Sequence, residues 1–209
     1  MAHQGAINHL RKADPKLAAV IDAVGRCTFE PAEHMPHFVA ITRSIVFQQL
    51  SGKADSTIYG RFAGLFADAT PLAHKLLELH DEQLRAVGLS RQKIRYLRDL
   101  SGRVHSGDVP LEKLHELSDE EVIAALTSVK GIGRWTAQMF LMFRLGRPDV
   151  LPELDLGIQK GVQRAYHMRK LPTPKRVLEV GAKWAPYRTV ASWYLWRSLD
   201  PTAENRQGK

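Results

Sequence analysis

Apolar side chains recur three and four residues apart along nearly the whole of this 209-residue chain, and no Val-, Ile- and Thr-rich stretch alternates with polar residues between turn signals. A period near 3.6 lets a helix bury one stripe, whereas a strand needs a period of two, so the expected fold class is all-α. The spacing predicts helices near 15–24, 36–49, 52–66, 71–78, 82–87, 91–105, 119–128, 134–145, 156–168, 174–184 and 187–199. Several starts are marked by their chemistry. Thr70-Pro71 and Thr173-Pro174 place a capping hydroxyl before a proline that fits the first helical position, and Ser118-Asp119-Glu120-Glu121 reads as a capping box. Tandem repeats and low-complexity linkers are absent from the sequence. The expected organisation is two helical lobes flanking a cleft: 1–51 with 151–200 as one lobe, 52–150 as the other, and 201–209 as a flexible polar tail.

Between two of these helices lies Val129-Lys130-Gly131-Ile132-Gly133-Arg134-Trp135-Thr136. Two glycines one residue apart permit a tight turn and leave backbone N–H groups uncovered, and the following helix adds its positive N-terminal end. Such a turn can cradle an anion, with Lys130 and Arg134 as flanking charges. The composition supplies a partner of the right sign. Thirty Lys and Arg against 22 Asp and Glu give a net charge of +8, which draws the chain toward a polyanion such as nucleic acid. The single cysteine, Cys27, excludes an intramolecular disulfide and any iron–sulfur cluster held by four thiolates, and fits a reducing cytoplasm. With no signal-like apolar stretch at the start and no run of about 20 apolar residues, export and membrane insertion are not expected. Nine histidines show no HExxH or comparable ligand pair, and His34 and His37, three apart, lack a third partner in view.

The longer string LxxVKGIGRWTAQMF resembles the helix-hairpin-helix motif of the HhH-GPD superfamily of DNA glycosylases, and within it the 3-methyladenine DNA glycosylase II group. The resemblance extends over roughly 36–197, most specifically in the hairpin, in Asp155 and in PYRTVASWYLWR. It implies a monofunctional enzyme of base excision repair that flips alkylated bases, of the 3-methyladenine and 7-methylguanine type, out of duplex DNA and hydrolyses the N-glycosidic bond. The hairpin, Lys130, Gly131, Ile132, Gly133, Arg134 and Thr136, would grip DNA, with Ile132 pinning the turn and a Na+ or K+ ion at the backbone in many members. No other cofactor is implied, and the N-terminal β domain of larger members is not expected in these 209 residues.

In the same family the catalytic aspartate follows a Gly/Pro-rich loop, a position that Asp155 matches in Gly146-Arg147-Pro148-Asp149-Val150-Leu151-Pro152-Glu153-Leu154-Asp155-Leu156-Gly157-Ile158. By its local setting Asp155 also suits a plain N-cap, and Asp149 and Glu153 are nearby decoys. An N-alkylated purine is already a good leaving group, so one ionised carboxylate can stabilise the oxocarbenium-like sugar and orient water. Bifunctional members carry a lysine where this chain has Trp135, so the Schiff-base nucleophile of a lyase is missing. Base flipping also calls for a stacking pocket and a wedge. The resemblance assigns Trp135, Trp196 and Trp193 to the pocket and Gln49 or Leu50, in a QQxS-like turn, to the wedge. A basic helix opening at Gly88-Leu89-Ser90-Arg91-Gln92-Lys93 could meet backbone phosphates. The expected protein is a monomer acting on double-stranded DNA in a bacterial cytoplasm, at the nucleoid. A non-catalytic DNA-binding module and a glycosylase for another lesion class stay open as alternatives.

Overall fold

The computed structural model describes residues 3–32, 35–48 and 53–200, the side chains of 53 and 54 excepted. His34, the wedge candidates Gln49 and Leu50, and the tail 201–209 therefore lie outside the described residues. Among the described residues there are helices and turns and no strand, as the periodicity predicts. The α-helices are α1 (Gln4–Ala13), α2 (Pro15–Val24), α3 (His37–Phe47), α4 (Lys53–Ala63), α5 (Ala73–Glu78), α6 (Asp81–Ala86), α7 (Arg91–Ser106), α8 (Asp119–Thr127), α9 (Arg134–Phe143), α10 (Leu156–Ala165), α11 (Pro174–Gly181) and α12 (Arg188–Arg197). None is long and apolar enough to cross a membrane.

The chemical start signals hold at two of three places. Ser118 and Glu121 form the reciprocal capping box of α8, and the Thr173 hydroxyl accepts from the Arg176 N–H ahead of Pro174. Thr70 does not cap α5. Its hydroxyl donates to the Asp68 carbonyl at the end of a 3-10 turn, and the helix starts three residues later behind Leu72. Helix α1 was not among the predicted helices: it buries only Ala6 and Leu10, one pair of positions four apart, which is a thin stripe for periodicity to register.

The chain divides into two units, Met1–Pro31 with Gly146–Lys209 and Ala32–Leu145. The first expected boundary, at 51/52, is displaced because α3 packs on α4, α7 and α9 and so belongs to the central unit. In the unit of the two chain ends, Leu10, Leu17, Ile21, Ile158, Val162, Trp184, Tyr194 and Leu195 form the buried core. Asp14 sits fully buried within it, at the start of α2. It accepts from the Lys16 and Leu17 N–H groups, from the Trp184 indole at 2.7 Å and from the Tyr166 hydroxyl, with Lys183 at 3.3 Å. Burial alone would raise its carboxyl, but these donors hold it below the usual range, so the buried charge is compensated.

Candidate active site

The hairpin belongs to the central unit. After α8 the chain turns through residues 128–133 and enters α9. Gly131 has φ +83°, and a Cβ there would stand 2.6 Å from Cγ of the Tyr96 ring, so both conformation and space demand glycine. Gly133 has ordinary extended angles and open space where a Cβ would point. The two glycines thus do different work: the first makes the turn, the second keeps the mouth of α9 bare. Helix α9 carries no side-chain cap, and the Gly131 and Gly133 amides donate to no acceptor among the described residues. Ile132 is buried, and its N–H closes the turn onto the Val129 carbonyl.

The turn is held by polar contacts from within the same unit. Asp99 of α7 accepts from the Lys130 N–H at 2.8 Å and lies 3.7 Å from its ammonium, while Arg103 donates to the same carboxylate. Burial would raise the Asp99 carboxyl, but the Lys130 N–H and Arg103 keep it below the usual range, hence ionised and holding the loop. On the other side the Gln48 amide donates to the Gly131 carbonyl at 2.8 Å. Arg134 reaches back to Glu120 in a two-pronged pair of 2.8 and 3.1 Å. Both flanking cations therefore carry acidic partners. Lys93 does not lie on the open face of α7 either: its ammonium donates to the Val46 carbonyl near the end of α3.

Beside the hairpin is a pocket of about 610 Å³, lined by Ile41, Phe47, Gln48, Ile132, Trp135, Thr136, Met139, Phe140 and neighbours. That volume suits a small aromatic ligand, and most of its wall is apolar. Trp135 opens onto it and is 45% exposed, an unusual state for so large a ring. Ile132, Trp135 and Thr136 are therefore brought to one wall, with Gln48 linking that wall to the turn.

Asp155 belongs to the other unit. It is the N-cap of α10, half-buried, with its Oδ1 accepting from the Ile158 N–H and from the Trp196 indole Nε1, each at 2.8 Å. The helix N-terminus places partial positive charge beside the carboxylate. Exposed Leu154 and Leu156 flank it. Asp149 is a structural acid. It accepts from the Arg188 backbone N–H and from the guanidinium at 2.7 and 2.8 Å, bonds that overcome burial and hold its carboxyl below the usual range. Glu153 is buried at 8% exposure.

Of the three tryptophans assigned to a pocket, Trp193 is corrected. It lies in the core of its unit at 7% exposure, edge-on to Tyr194 and with Arg197 over its face, so no face is open for stacking. Trp196, three residues on, turns toward Asp155 instead. Gln48, Asp99, Tyr96 and Gly157 were not singled out from the sequence. The last had a signal: Gly157 and Gly161, four apart in one helix, mark a face where another element comes close.

Residues 42–186 match the family described as HhH-GPD superfamily base excision DNA repair protein. The chain is 35% identical over 195 residues to DNA-3-methyladenine glycosylase 1 of Schizosaccharomyces pombe, spanning 91% of this chain and 85% of that one. Its fold is similar to the crystal structure of a DNA-3-methyladenine glycosidase from Bacillus halodurans, with a TM-score of 0.87, 40% identity, and 95% and 91% of the two chains covered. It is similar as well to the structure of the Schizosaccharomyces pombe 3-methyladenine DNA glycosylase in complex with abasic DNA, with a TM-score of 0.80, 35% identity, and 93% and 96% covered.

Proposed function

The chain belongs to the HhH-GPD superfamily of base excision DNA repair proteins, and we propose that within it the protein is a monofunctional glycosylase that hydrolyses alkylated bases from duplex DNA, with Asp155 as the catalytic carboxylate. The observation that carries this reading is the setting of Asp155. Its side chain is fixed at a helix N-terminus by two donors to one oxygen, which pre-orients a charge that the chemistry needs.

As the C1′–N bond of an N-alkylated purine lengthens, the base takes the bonding electrons and loses its positive charge, while the sugar becomes oxocarbenium-like. The Asp155 carboxylate stabilises that sugar and orients a water. The water oxygen bonds to C1′, its proton passes to the carboxylate or to solvent, and the products are the free base and an abasic site. The exposed face of Trp135 in its apolar pocket suits a flat, cationic base. Because an indole stands where a lysine would be needed, the reaction ends at the abasic site without strand cleavage.

On the DNA side, the Gly131 and Gly133 amides and the bare start of α9 receive a phosphate. A Na+ or K+ ion fits the same turn, where the carbonyls of Val129 and Gly131 each accept one hydrogen bond and retain a second lone pair. It would add positive charge beside the phosphate. Gln49 or Leu50 would fill the gap left by the flipped base.

The test is base release from methylated duplex DNA by the wild type and by Asp155→Asn, with strand breaks scored before and after alkali. Release that depends on Asp155, with breaks only after alkali, is the expected result. No release from methylated DNA by the wild type overturns the alkylbase reading, and unchanged release by Asp155→Asn overturns the assignment of the carboxylate.

A further inference from the structure

We infer that Trp196 is a positioning residue for Asp155, acting through its indole N–H and seated by the missing side chain of Gly157. The inference rests on the reading of Asp155 as the catalytic carboxylate. Three observations support it beyond a general match to a pocket aromatic.

The first is the hydrogen bond itself. Trp196 Nε1 donates to Asp155 Oδ1 at 2.8 Å, the same oxygen that accepts from Ile158 N at 2.8 Å. One donor on its own end of α10 and one from α12 fix a single oxygen from two directions. A carboxylate held at one oxygen from two elements has no free rotation about its last bond, so the location of the second oxygen is fixed too.

The second is space. A Cβ on Gly157 would stand 2.8 Å from Trp196 Cδ1, 3.0 Å from Trp196 Nε1 and 3.0 Å from Asp155 Oδ1. Any side chain there would push the ring and the carboxylate apart. One turn on, a Cβ at Gly161 would meet Leu195 Cβ at 2.8 Å and its carbonyl oxygen at 3.0 Å. Glycine disfavours a helix relative to alanine, so two of them on one face carry a cost that close approach of α12 offsets.

The third is register. Leu195 and Tyr194 are fully buried, Trp193 is nearly so, and Arg164 of α10 donates to the Ser198 carbonyl at the end of α12 at 2.9 Å. Helix α12 is thereby locked against rotation and sliding relative to α10, and the indole N–H is delivered to Asp155 by the core rather than by a mobile surface chain.

The experiment compares Trp196→Phe, Trp196→His and Gly157→Ala with Asp155→Asn, measuring single-turnover base release from methylated duplex DNA and affinity for DNA carrying an abasic-site analogue. Phenylalanine keeps an aromatic face and loses the donor. Histidine keeps a five-membered ring whose Nε2 occupies the place of indole Nε1. A misplacement of a reacting group by about 1 Å costs on the order of 10²-fold in rate, and that is the loss expected for Trp196→Phe, with affinity for the analogue retained and with part of the rate restored in Trp196→His. Gly157→Ala, which leaves the indole in the chain but displaces it, should lose rate in the same way. Wild-type rates in Trp196→Phe, or equal losses in the Phe and His variants, would overturn the inference and assign the ring its face or its bulk instead. Asp155→Asn separates the two levels: if it releases base normally the catalytic reading fails, whereas an inactive Asp155→Asn beside a fully active Trp196→Phe defeats the positioning role alone.

Discussion

Two helices of this protein begin in opposite ways. Helix α9 starts at Gly133 with no side-chain cap, whereas α10 starts at Asp155, whose own carboxylate accepts from the third residue of the helix. Each helix start carries a partial positive charge of roughly half a proton and several N–H groups in need of acceptors. At α10 the chain supplies the carboxylate itself, and the Ile158 N–H and the Trp196 indole orient it. At α9 the chain withholds an anion and, through Gly131, sharpens the turn until the backbone itself is the surface. On the proposed reading, the same physical feature serves chemistry where it is capped and binding where it is bare, and the cap residue distinguishes the two.

The strongest way to break this comparison is to separate cap from charge at Asp155. Asp155→Ser retains an oxygen that can cap α10 but has no ionised group. Base release is expected to fall on the order of 10³-fold while thermal stability stays near wild type. Asp155→Ala loses both functions, with an added stability cost of about 1 kcal/mol. A Ser variant that excises normally would reduce Asp155 to a structural cap.

The next effect is on the turn. Gly131→Val forces a β-branched residue to φ +83° and into the Tyr96 ring. Left-handed strain and overpacking each cost about 1–3 kcal/mol, so a loss of roughly 3 kcal/mol in denaturant unfolding is expected, with DNA binding lost alongside. A stable Gly131→Val protein would mean that the turn can be made another way.

A smaller effect sharpens the contrast between two aspartates six positions apart. Asp149→Asn weakens the bonds from Arg188 and should cost about 1–2 kcal/mol of stability, while base release by the folded protein persists. The Asp149 carboxyl lies below its ordinary value when folded, so its contribution is full above the ordinary carboxylate pKa and is lost as pH falls through the lower folded value. The variant should therefore lose less stability than the wild type on acidification below about pH 4, which urea unfolding over that range would check. An unchanged acid profile would indicate that the Arg188 pair does not lower the Asp149 carboxyl as proposed.

What could be read without coordinates follows from how local each signal is. Helices α2, α7 and α8 were placed nearly to the residue because their stripes and caps lie within their own segments. Helix α3 is legible as a helix but its unit is not, since its partners α7 and α9 are far along the chain. Asp149 and Asp155 lie six positions apart on one connecting segment, and the partners that set them apart are far along the chain: Arg188 for Asp149 and Trp196 for Asp155. Trp193 and Trp196 likewise carry the same letter on one helix. Their opposite fates, one packed in the core and one turned to a carboxylate, depend on which face of α12 meets α10.

The smallest effect is the most direct exchange of one helix start for the other. Gly133→Asp places a carboxylate at the mouth of α9, into space where a Cβ meets nothing within 4 Å and at backbone angles any residue adopts. The protein should become slightly more stable, by a few tenths of a kcal/mol, because the new side chain caps the helix and faces its positive end. Affinity for duplex DNA should nevertheless fall about tenfold, since the side chain takes the N–H groups and repels the phosphate proposed to bind there; losing one hydrogen bond to a charged group is worth about that much. Gly133→Asn provides the cap without the charge and should lose less affinity, and the difference between the two should shrink as salt is raised and the repulsion is screened. Stability that rises while affinity stays unchanged would show that the bare start of α9 is not where the phosphate is held. A loss of affinity equal in both variants would show that the N–H groups matter there and the helix charge does not.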